Sequence, residues 1–231
     1  MPKPEYPTDE GIWYRGERQE KSYREFKLGT AYKEAVENFR RASEGREDFD
    51  PAAVFVWGTM QAKAVLGILK AVEEAFGADG QEVVRKAINK VGYEAALDLF
   101  DSCDLPKNAT PIELISFFVT AINVTLYASL ERPNIISDDK CEFDILWCPH
   151  QDIYTAFDCR VQRYFVEGMF RAMQARGMGG VTAAVDKLIP HGGECCHFTV
   201  ERIADDGGKN PWHAYSEELA RRALRKMQGQ E

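Results

Sequence analysis

The hydrophobic periodicity of this chain changes once, near residue 140, and that change restricts the folds open to it. Before it, apolar residues recur at helical spacing. From about Lys21 to Ala42, the residues Phe26, Ala31, Tyr32, Ala35, Val36 and Phe39 fall near one helical face. Asp50 before Pro51 is a helix cap followed by proline at the first helical position. Ala53, Val56, Met60, Ala64, Leu66, Leu69 and Val72 carry that helix to about Phe76, where "GADG" ends it. A third helix is expected over about Gln81 to Asp101. A fourth begins at Thr110-Pro111, and its stretch "IELISFFVTAINVTLYASL" is apolar nearly all round, which places it centrally.

After the change, "CEFDILWC" alternates, with Phe143, Ile145 and Trp147 on one face, as a strand does. A long helix over "IYTAFDCRVQRYFVEGMFRAMQARG" ends at Gly177. Two strands joined at Gly192-Gly193 and a terminal helix, "WHAYSEELARRALRKMQ", complete the chain. Helices first, then strand, helix, strand, strand, helix, argue an α+β fold: a helix-rich N-terminal half followed by a small antiparallel sheet packed on helices. Residues 1–17, rich in proline, glycine and charge, read as an arm carrying Trp13 and Tyr14. Residues 18–231 read as one domain, with no linker-like segment inside it.

The chain has 231 residues and a net charge of −8, so the basic surplus of a nucleic-acid binder is missing. No uninterrupted apolar run approaches a membrane span, and the N-terminus lacks the apolar core of a secretory signal. The expectation is a cytoplasmic protein with its six cysteines reduced. The arm's aromatics and the amphipathic last helix make a homo-oligomer the expected assembly.

The residues with chemistry gather in three places. In "HGGECCHFTVE", 191–201, strand alternation puts Cys196 with Phe198 and Val200, and Cys195 with His197 and Thr199. Cys196 therefore points inward. A free cysteine there is often only a small buried hydrophobe. In "WCPHQD", Cys148 sits where a strand gives way to a helix, a setting whose free N–H groups favour a thiolate, and His150 is a candidate base. Asp158 lies on a largely apolar helix and must pair, face water or line a pocket. The cysteine and histidine pairs, Cys148-x-His150 and Cys196-His197, lack the usual zinc spacing. A zinc site from Cys148, His150, Cys196 and His191 remains the less favoured alternative to no cofactor. No P-loop, dinucleotide fingerprint or serine-hydrolase elbow occurs.

Cys148-Pro149, Asp158 and the run Gly192 to Phe198, set behind a helical half, resemble the L-2-amino-thiazoline-4-carboxylic acid hydrolase family. The resemblance is firm over 143–200. It implies a hydrolase that adds water to a small heterocyclic substrate and opens a C–N bond of a cyclic amidine or amide. Under it, Cys196 is the expected nucleophile and Asp158 the acid–base partner. His150 and His191 are the proton carriers, and Cys148, Glu194, His197 and Phe198 the substrate contacts. Two other readings stay open: a non-catalytic small-ligand sensor, and a metal- or thiol-dependent lyase. The spatial expectation shared by the enzymatic readings is that Cys196 and Asp158 converge on one cavity.

Overall fold

The computed structural model describes residues 26–203 and 209–230. The arm, with Trp13 and Tyr14, lies outside the described residues. The elements are α1 (Lys33–Ser43), α2 (Ala52–Asp101), α3 (Pro111–Ala121), β1 (Leu130–Ser137), β2 (Lys140–Trp147), α4 (Arg160–Ala175), β3 (Gly180–Lys187), β4 (Cys196–Ile203) and α5 (Pro211–Met227). The fold is α+β, as the periodicity argued.

Fifty residues of straight helix would reach about 75 Å, more than a domain of this size can hold. Helix α2 does not run straight. Gly77 has φ 59 and ψ −139, a conformation that glycine alone adopts readily, and the helix turns back on itself there. Past the turn, a Cβ added to Gly80 would lie 3.1 Å from the carbonyl oxygen of Val72, eight residues earlier. In an unbroken helix those residues would be about 12 Å apart along the axis. The expected "GADG" stop is therefore a hinge between two limbs, 52–76 and 78–101. A second anchor requires the same bend. The N–H of Tyr32 donates to Asp98 near the far end of α2, and the 19 residues that follow must reach Ala52.

The turn is held from inside. Arg160 and Glu73, both about 2% exposed, form an ion pair at 2.5 Å. Gln81, beyond the bend, donates to Glu73 Oε1 and to the carbonyl of Ala220. One buried cluster thus ties both limbs of α2 to α4 and α5. The later limb crosses α4 almost backbone to backbone. A Cβ on Gly168 would stand 2.0 Å from the carbonyl oxygen of Asn89, and one on Gly92 would stand 2.2 Å from that of Phe165.

The sheet order is β1-β2-β4-β3, antiparallel throughout. Its inner face, with Cys141, Phe143, Ile145, Val181, Cys196 and Val200, packs on α3, α4 and the later limb of α2. Its outer face is polar. Strand β1 was not expected, because "LERPNIIS" carries Pro133; the proline is tolerated because β1 is an edge strand. Helix α3 starts with a capping box, Thr110 and Glu113, and ends sooner than its apolar run. Residues Ile122–Leu126 form a π-helical turn. The long helix expected from Ile153 begins only at Arg160; residues 149–159 are turns. The last helix folds back on its own chain: Trp212 is buried, with Arg163 stacked 3.5 Å above its ring.

The Gly168 crossing has no room for a methyl group. Gly168→Ala should destabilise the protein by about 2–3 kcal/mol, read from urea unfolding midpoints. Arg160→Met, which strands a buried Glu73, should cost about 3–5 kcal/mol. The double variant Glu73→Leu/Arg160→Met should recover most of that loss.

Candidate functional site

The end of the sheet nearest the 149–159 turns gathers most of the chain's reactive groups. Cys148 directly follows β2, where the strand ladder stops. Its sulfur faces the N–H groups of His150 and Gln151 and the hydroxyl of Ser129. Burial pushes the Cys148 thiol up; these donors pull the other way and do not prevail. Cys196 lies opposite Ile145 in the β2–β4 ladder. It points inward as alternation required, and its sulfur accepts the N–H of Ile189 at 3.2 Å. It too is pushed up by burial. Cys159 is a third thiol of the group, raised to about 12 by burial and then by the neighbouring Cys148 and Cys196.

Around these thiols stand groups that sequence reasoning missed. Glu131, on β1 opposite Ile145, is 3% exposed and accepts a hydrogen bond from Asn123 at 2.6 Å. It lies on the same inner face as Cys196, one strand beyond Ile145. Asn123 is presented by the π-helical turn, a local distortion that often accompanies function. Ala128, two residues before β1, holds φ 48, an uncommon left-handed conformation for a residue other than glycine. The Tyr127 hydroxyl and His150 Nδ1 are buried without a hydrogen-bond partner among the described residues. Burial raises Tyr127, and the neighbouring Cys148 and Tyr154 add to the shift. Burial lowers His150, so its imidazole is neutral at pH 7. Its ring stacks on Tyr154 at 4.9 Å, and Tyr154 donates to the carbonyl of Ala62 on α2. Had β1 been read as a strand, its alternation would have set Glu131 beside Pro133 and Ile135 on the inner face. A carboxyl on an apolar face is a strong signal.

The other expected residues lie elsewhere. Asp158 pairs with Lys70 and Thr155 rather than with Cys196. It sits in the turn before α4, where its carboxylate meets Lys70 at 2.6 Å and accepts from Thr155 through backbone and hydroxyl. Burial would raise it, but Lys70 and Thr155 outweigh burial and hold it below the usual carboxylate range. The physical reason for the correction is the late start of α4, which turns Asp158 toward α2. His191 is exposed, and Glu194 is an exposed partner of Lys187. Of the residues proposed for zinc, His191 is exposed, and among the described residues no group of three or more His, Cys, Asp or Glu side chains is placed to hold a metal ion. Phe198 stacks on Phe143 at 4.8 Å as part of the core.

His197 and Cys195 occupy the outer face. Both meet Asp144, His197 Nδ1 at 2.8 Å and the Cys195 sulfur at 3.5 Å. Burial, followed by the Asp144 charge, raises Cys195 to about 11, the reverse of an activated nucleophile. A cleft of about 650 Å³ opens on another side of the molecule, between α2, α4, β3 and α5, with Arg85, Glu167, Arg171 and His213 in its wall. None of the expected site residues lines it.

A protein of Archaeoglobus fulgidus, described as an uncharacterized protein, is 42% identical to this chain over 218 residues, covering 92% of the chain and 95% of the relative. The chain belongs to the same family as that archaeal protein. No established family pattern matches the chain, and no solved structure matches it. The family likeness extends through both halves of the fold, from the α2 hairpin to the sheet.

Two outcomes are expected. Because burial raises Cys148, Cys159, Cys195 and Cys196, iodoacetamide at pH 7.5 should label them more slowly than a free peptide thiol, as read by mass spectrometry (roughly pH 7.5 keeps a thiol of ordinary pKa near 8.5 partly ionised). Asp158 has a lowered folded pKa, so its contribution to stability is full above its unfolded value and fades as pH falls through the folded value. The stability gap between the wild type and Asp158→Asn should therefore be open at neutral pH and close below about pH 4.

Proposed function

We propose that the chain binds a small polar heterocycle at the Cys148 end of the sheet and opens its ring by adding water across a C–N bond. The single observation that supports this is the set of half-buried Cys148, Tyr127 and His150 with the buried Glu131 at this end of the sheet. It joins a thiol, a carboxyl, and two polar atoms without partners among the described residues. Buried polar groups are rarely left unpaired unless a ligand or water completes them. The family resemblance carried by Cys148-Pro149 and Gly192–Phe198 points to cyclic amidines and amides as the substrate class.

In this reading Cys148 replaces Cys196 as nucleophile, and Glu131 replaces Asp158 as the carboxylate. The Cys148 sulfur attacks the ring carbon, and its proton passes to the neutral His150. The N–H of His150 and the Tyr127 hydroxyl stabilise the charge that develops. His150 then gives its proton to the ring nitrogen as the C–N bond breaks, leaving a thioester or thioimidate. Glu131 takes a proton from water, which attacks this adduct and releases the thiol. The net change is one water added.

A second reading, a ligand sensor without catalysis, draws support from one observation: burial leaves every thiol of the cluster protonated at rest. The test is a ring-opening screen with thiazolines, hydantoins and lactams, run beside calorimetric titration of the same compounds. Turnover is expected, with Cys148→Ala abolishing it and Glu131→Gln slowing it by about a hundredfold. Cys196→Ala should retain most of it. Binding without consumption establishes the sensor instead.

A further inference from the structure

The first limb of α2 is apolar and bare. Val54, Phe55, Val56, Trp57, Met60 and Ile68 are all exposed, with Val56 at 66% and Trp57 at 61%. Together they leave on the order of 600 Å² of apolar side chain in water, the upper end for a monomer's largest patch and near the roughly 800 Å² per partner of a standard interface. The adjoining helix α1 has its apolar and charged residues on opposite faces, yet none of its residues is buried. Such a helix of 11 residues is not stable in water by itself. Contrary to the sequence expectation, the limb lies within a helix that includes an 18-residue window of mean hydropathy 1.5, of which only 11% is buried.

Charge distinguishes the possible occupants. The turn before the limb, 44–50, holds Glu44, Glu47, Asp48 and Asp50 against the single Arg46. An anionic lipid surface would repel that end. Exposed Lys63 follows the Val54–Met60 run on the side away from that turn, before Ile68. A surface with acid at one end, base at the other and apolar residues between is complementary to itself when two copies run antiparallel. Asp48 lies eight residues before and Lys63 seven residues after Val56, the most exposed of these side chains.

We propose that two copies of this chain pair through the 52–68 segments, antiparallel about a two-fold axis near Val56–Trp57. The acidic turn of each copy lies against Lys63 of the other. The contact is isologous, so it closes at two copies. It also covers the outer side of the limb whose Ala62 carbonyl holds Tyr154 beside the thiol cluster. The surface differs from the arm and last helix that the sequence suggested.

Sedimentation equilibrium of the full chain at about 20 µM, a concentration that populates a dimer of micromolar Kd or tighter, should give twice the chain mass. Val56→Glu should give a monomer with unchanged helical circular dichroism. Lys63→Glu should weaken pairing by about tenfold, and Glu47→Lys added to it should restore pairing. As an independent readout, Val56→Cys should form an interchain disulfide on mild oxidation. A monomeric wild type overturns the proposal, as does a Val56→Glu dimer. A wild type that stays monomeric but floats with phosphatidylcholine vesicles overturns it in favour of a lipid surface.

Discussion

One buried charge pair joins the segments around which the fold turns. Arg160 and Glu73 meet where α2 has just approached its reversal and α4 is about to begin. Removing two charges from water is expensive, and their attraction repays it only when geometry and further hydrogen bonds are good. Gln81 supplies one such bond from across the bend and also reaches α5. The pair therefore joins the segments that must come together for the hairpin of α2 to exist. Gly77 permits the reversal; the ion pair and the Gly92–Gly168 crossing make it specific.

That arrangement also sets the chemistry. With α2 folded back, Lys70 reaches the turn before α4 and pairs with Asp158. The buried carboxyl on the inner face of the sheet is Glu131, delivered by an edge strand and bonded by Asn123 from a π-helical turn. Polar groups crowd there because two regular elements end together. Strand β2 stops at Trp147, and α4 does not begin until Arg160. Backbone donors released by the first are available to Cys148 before the second consumes its own.

Much of the architecture was legible because it follows from periodicity. The inward set of β2, the opposed directions of Cys195 and Cys196, and the break at "GADG" are local consequences of repeat and backbone freedom. Strand β1 was not legible, because Pro133 argues against a strand unless the strand is known to lie at an edge, and edge position is a property of the assembled sheet. Glu131 was lost with it. Asp158 was misplaced for a related reason. An apolar-rich stretch reads as helix, but Thr155 and Asp158 satisfy each other's groups in a turn and delay the helix to Arg160.

The sequence by itself determined the α+β class, the order of most elements, the inward face of Cys196 and the net negative charge, since each rests on residues near one another in the chain. Only the tertiary structure decided which carboxyl lies buried on the inner face of the sheet, which lysine neutralises Asp158 and which apolar helix face is left in water. Those outcomes depend on where a reversed helix and an edge strand bring residues that are tens of positions apart. Local propensity has no term for that distance; burial and charge pairing across it do.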